Sequence, residues 1–153
     1  MNVDNLRKVK ELILEEPRRI NMLHWLQVGS KKELTASLGV DAPSCGTIGC
    51  IAGWGATLAC AESDKKLKTL KGAAQHVTYA AIEAATYFGI DDLEYYELFY
   101  DESWPEDLGI RLERSDPGTA DYAAVVADAI ERYIACGGDW NKDAGEKGVE
   151  DGA

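Results

Sequence analysis

The 153 residues carry a formal net charge of −11, with 46% apolar and 28% charged side chains. Such a composition describes one globular domain, long enough to bury a core without staples, and not a disordered chain. The sequence pI near 4.6 argues against direct nucleic-acid binding, which needs clustered Lys and Arg to displace counterions from phosphates. It suits a protein partner with a basic surface, although acidity also simply keeps a small protein in solution.

The N-terminal stretch MNVDNLRKVKELILEEP is amphipathic and charged, without the apolar run of a signal peptide. No segment approaches the eighteen or so apolar residues of a membrane span. The expectation is a cytoplasmic protein with no membrane contact, whose four cysteines stay reduced.

In chain order, the first predicted helix is capped by Asn2 or Asp4, carries Leu6, Val9, Leu12 and Ile13 at helical spacing, and stops at Pro17. A second short helix is predicted over RRINMLHWLQ, ending near Gly29, followed by loop to DAPS. The segment SCGTIGCIAGWGATLAC, residues 44–60, then packs three cysteines, four glycines and a tryptophan into seventeen residues. A helix from Thr47 to about Cys60 would place Gly49, Gly53, Ala56 and Cys60 on one stripe. Each interior glycine costs roughly 1 kcal/mol against alanine, so the stripe implies a buried central helix that another backbone approaches closely. On this reading Cys50 and Cys60 are small buried hydrophobes.

After the lysine-rich SDKKLKTLKG, Ala73, Val77, Ala80, Ala81, Ala84 and Phe88 trace a helical face, with Gly89 as a left-handed cap. The run IDDLEYYELFY opens with Asp91 as cap, Glu94 three residues on and Ile90 as staple. WPEDLG reads as one further turn with Pro105 at its start, and GIRLER is a weak strand candidate. The last long helix runs from about Thr119 to Ala135, has Tyr122, Val125, Val126, Ala129, Ile130, Tyr133 and Ile134 on one face, and ends at Gly137–Gly138. The expected fold is all-α: a single compact bundle of about five to six helices over residues 1–138, with a flexible polar tail, 139–153, from which Trp140 tucks back.

Chemistry-bearing residues fall into three groups. Cys45 precedes the predicted central helix, where the helix dipole and free amides lower a thiol pKa; as a nucleophile it needs an imidazole, from His76 or otherwise His24. The string CGTIGCIAG resembles the start of the central helix in papain-type and bacteriocin-processing cysteine peptidases. Those peptidases place their histidine and Asp or Asn on a following β-sheet, which this sequence does not predict. Cys45 and Cys50 have four residues between them, at the edge of zinc-ligand spacing, but no second pair follows, so no metal site and no cofactor is assigned. Finally, DDLEYYELFYDESWPED combines carboxylates with Tyr95, Tyr96, Phe99, Tyr100 and Trp104. These rings divide between core and surface, and exposed ones suit a basic, partly apolar protein partner.

CGTIGCIAGW, the alanine-rich helix ending YFGI, and LFYDESWP together resemble a set of small phage and bacterial proteins of unknown function. These share a Cys-Gly-Thr-x-x-Cys-Ile-Ala-Gly helix and a downstream Leu-Phe…Trp-Pro stretch. The resemblance spans roughly residues 3 to 135 and implies a phage-encoded accessory protein. The leading expectation is therefore a small acidic interaction protein that binds and modulates a host protein, rather than an enzyme. A Cys45-dependent hydrolase or transferase and a small-molecule-binding helical module are the alternatives. The sequence leaves the oligomeric state open.

Overall fold

The computed structural model describes residues 1–23, 26–27, 48–62, 77–91 and 94–144. They form an all-α bundle with one two-residue β ladder at its edge. None of the described helices is long and apolar enough to cross a membrane.

Helix α1 (Val3–Glu15) starts where the Asn2 side chain accepts the Asn5 N–H, choosing Asn2 over Asp4 as cap. Its buried stripe is Leu6, Val9 and Ile13. Pro17 then opens a single 3-10 turn, Pro17–Arg19, and the helix expected over RRINMLHWLQ is not formed. Ile20 is extended and bridges Gly49, the Asn21 amide donates to the Gly49 carbonyl at 3.2 Å, and the Asn21 side chain accepts from Leu23 N–H at 2.9 Å. Asparagine competes with helical hydrogen bonding in this way, and the ladder supplies the alternative: β1 (Leu26–Gln27) pairs antiparallel with β2 (Ile48–Gly49).

The glycine-rich central helix is present and buried, but it begins later than Thr47. Helix α2 runs Ile51–Glu62, because Ile48 and Gly49 are committed to the ladder. Gly49 therefore leaves the helical stripe, and Cys50 occupies the start: its carbonyl accepts from Trp54 N–H at 3.1 Å and its Sγ from Gly53 N–H at 3.5 Å. Every residue from Cys50 to Thr57 is buried, as a helix touched on several sides requires. Its chief neighbour is α3 (Val77–Phe88). The glycine that admits it is Gly55, where a Cβ would lie 2.5 Å from the Phe88 ring and 3.1 Å from Ala84 Cβ. Gly89 ends α3 at φ 59°, with Ile90 N–H returning to the Ala85 carbonyl at 2.9 Å, the expected left-handed cap.

The run after Ile90 is less helical than its capping signals suggest. Helix α4 is only Tyr95–Phe99; ahead of it the Asp91 carbonyl accepts from both Glu94 and Tyr95 N–H. A 3-10 turn follows at Asp101–Ser103, then α5 (Glu106–Glu113) with Pro105 just before it. GIRLE thus belongs to a helix and not a strand. Leu108 and Leu112, one turn apart, are buried, while Arg111 pairs with Asp128 at 2.6 Å. Helix α6 (Ala120–Ala135) has Thr119 as its cap, accepting from Tyr122 N–H, and buries Tyr122, Val125, Val126, Ala129, Ile130 and Tyr133. Gly137 and Gly138, at φ 70° and 90°, turn the chain back to the short α7 (Asn141–Ala144). Helix α1 packs along α6, and α5 closes one side of it.

Ion pairs staple these helices at the surface. Glu131 on α6 receives Lys10 at 2.6 Å and Arg7 at 3.2 Å from α1, which hold its carboxyl below the ordinary range. Glu62 on α2 takes Lys8 at 2.9 Å and the Tyr87 hydroxyl at 2.9 Å, with the same direction of shift. Exposed pairs of this kind each contribute about 0–1 kcal/mol. Their value here lies in fixing how the helices register.

Candidate functional site

Cys45, His24 and His76, the residues of the nucleophile reading, lie outside the described residues. What is described is the helix start to which that reading looked, and Cys50 stands there. Its thiol is 1% exposed, and burial pushes it up to about 11 against the opposing pull of the Gly53 and Ala52 amides. A thiol in that state is a packing group, not a nucleophile. Among the described residues no group of three or more His, Cys, Asp or Glu comes together that could hold a metal ion.

The aromatic run divides sharply. Tyr95, Phe99 and Trp104 are buried and form the core half of the run, which removes them from the candidate binding residues. Phe99 meets Phe88 edge-on at 6.0 Å and Tyr95 at 5.7 Å. A five-residue helix leaves most of its carbonyls without intrahelical donors, and tryptophans from elsewhere supply them. Trp104 Nε1 donates to Leu98 O at 3.0 Å and Trp140 Nε1 to Glu97 O at 2.8 Å. Trp140 also lies edge-on to Tyr133 at 5.1 Å.

Tyr96 and Tyr100 are left on the outside. Tyr96 is 51% exposed; it stacks on Tyr95 at 4.4 Å and on Tyr100 at 5.0 Å, with interplanar angles of 23° and 20°. Asp91, Glu94 and Glu102 are exposed around this ladder, and burial, then Tyr96, raises the Tyr100 phenol. The result is a rigid aromatic edge among carboxylates. Its rings are already held in place, so a partner binding there pays little rotamer entropy.

One residue further along the chain, a cleft of about 250 Å³ opens between the Asp101–Ser103 turn, α5 and the start of α6. Leu23, Leu112, Pro117 and Tyr122 form apolar walls, and Asp101 and Glu113 bring the carboxylates. Burial raises the Asp101 carboxyl above its ordinary range, with Glu102 and Glu113 pushing the same way. The Tyr122 hydroxyl accepts from Met22 N–H at 3.0 Å, which fixes its ring in the wall. Sequence reasoning does not find this cleft. Leu23 and Tyr122 are about a hundred residues apart, and only the Ser115–Pro117–Gly118 turn signal marks that two helices fold back there. No protein-family model, no curated protein and no solved structure matches this chain.

Proposed function

We propose that this is a small acidic interaction protein of the phage-accessory kind, which binds a basic, partly apolar surface of a host protein and modulates it in the host cytoplasm. The observation that carries the reading is the Tyr96–Tyr100 stack, an exposed ring seated on a half-buried one among carboxylates on a chain of net charge −11. Interface anchors are enriched in tyrosine, and opposite charge on the partner accelerates encounter. The described cleft, at about 250 Å³, is smaller than the roughly 300–1,000 Å³ of typical ligand pockets. It is closer to the space one inserted side chain needs.

The test is capture of partners from bacterial lysate on the immobilised protein, followed by affinity measurement on the purified partner. A basic protein should be enriched at low salt and released as salt screens the charges. Tyr96→Ala should weaken it at least tenfold, about 1.4 kcal/mol. Retention that ignores both salt and Tyr96 would overturn the proposal, as would no enrichment at all.

A further inference from the structure

We infer that the cleft between the Asp101–Ser103 turn, α5 and α6 is the seat of one arginine side chain of the partner. The inference rests on the basic-partner reading above and specifies where that partner inserts. Three features of the cleft select this occupant.

The walls come first. Leu23, Leu112, Pro117 and the Tyr122 ring make a mostly apolar channel, which suits a methylene stem. The polar lining comes second. The Ser115 hydroxyl is spent on the Arg111 and Leu112 carbonyls, and the Tyr122 oxygen receives the Met22 amide. What remains toward the cleft is the carboxylate pair Asp101 and Glu113, acceptors that call for a donor-only head group. Third, no ion pair among the described residues reaches either carboxylate. The guanidinium of Arg111, on the same helix as Glu113, is engaged by Asp128 instead. Two like charges that no ion pair among the described residues offsets favour an incoming cation.

Arginine fits better than lysine. Its guanidinium is more weakly hydrated than an ammonium, so it enters a half-buried cleft at lower desolvation cost. It can also serve two carboxylates at once and lie against the Tyr122 ring. The position agrees with the aromatic edge, since Asp101 directly follows Tyr100. An arginine flanked by an apolar residue would engage both.

The probe is N-acetyl-L-arginine amide, titrated into the full chain and followed by amide chemical shifts. Saturable shifts are expected at Asp101, Leu112, Glu113 and Tyr122. The citrulline amide, matched in shape but uncharged, should bind at least tenfold more weakly, and so should the lysine amide. The double variant Asp101→Asn, Glu113→Gln should lose arginine binding by at least tenfold and release the captured partner. Absence of saturable shifts overturns the inference, as does equal binding of citrulline or lysine amide; both are read on the unmodified protein. Partner capture undiminished by the double variant overturns it too, while leaving the basic-partner reading intact. Arginine binding at the cleft with no lysate partner would instead sink the basic-partner reading and leave the cleft.

Discussion

Replacing Gly55 by alanine sets two effects of known size against each other. In an open helix the change gains up to about 1 kcal/mol, because glycine is the costlier residue. Here the new Cβ would sit 2.5 Å from two Phe88 ring carbons and 3.1 Å from Ala84 Cβ. Ordinary carbon contacts lie near 3.5–4.0 Å, so the ring must retreat by about 1 Å. It has nowhere to go: Phe88 is fully buried, 6.0 Å from Phe99 and 5.5 Å from Tyr87. Overpacking of this kind costs about 1–3 kcal/mol, and toward the upper end where the neighbour is locked. The net expectation is a loss of about 1–2 kcal/mol, which lowers Tm by roughly 2–8 °C in a chain of this length. Gly109, inside α5, is the internal control: a Cβ there meets nothing within 4 Å, so Gly109→Ala should stabilise by up to about 1 kcal/mol. Thermal melts and urea titrations of both variants, with Phe88→Leu added to Gly55→Ala as a double-mutant cycle, measure the coupling. If Gly55→Ala proved as stabilising as Gly109→Ala, close approach of α2 and α3 would not be the reason for the glycine.

Three further outcomes are expected. Tyr133 is fully buried and its hydroxyl has no hydrogen-bond partner among the described residues; Tyr133→Phe should therefore be neutral or stabilising by about 1 kcal/mol in denaturant titration, and a loss of that size would refute it. In the native protein near neutral pH, iodoacetamide should leave Cys50 unmodified by peptide mass spectrometry and label the part-exposed Cys136 before it, since burial holds the Cys50 thiol at about 11. For Asp101, a carboxyl raised on folding imposes a cost that is complete above its folded pKa and relieved as pH falls toward the unfolded value. Asp101→Asn should therefore melt as high as or higher than the parent at pH 7, with the gap closing by roughly pH 4; a gap that widens on acidification would reverse the sign. The same substitution weakens the proposed arginine seat, so stability and binding would pull apart at one residue.

The elements legible in the sequence are those whose ends are set by their own neighbours. Asn2 and Thr119 accept from amides three residues on, and Gly89, Gly137 and Gly138 adopt the positive φ that a helix end demands. The misread stretches are those decided by distant partners. Residues 18–27 have helical spacing, yet Gly49 claims Ile20 and Asn21 for a ladder that local periodicity cannot reveal. The same ladder delays α2 to Ile51. GIRLER alternates like a strand only because Arg111 and Arg114 stand outside a helix that buries Leu108 and Leu112. In the aromatic run, composition indicates a mixture of core and surface. Which rings face outward depends on α4 being a single turn and a half, closed by indoles that lie five and more than forty residues away.

That closure has a consequence for how the molecule comes to be made. The Glu97 carbonyl receives its indole from a residue 43 positions later. A chain growing from the ribosome at about 5–20 residues per second therefore exposes the end of α4 for several seconds before Trp140 is synthesised. During that interval α1, α2 and α3 can already pack, while the corner bearing the tyrosine stack waits for Trp140. The surface proposed to meet a partner is thus completed only once Trp140 has been made, and a nascent protein would not engage that partner before then.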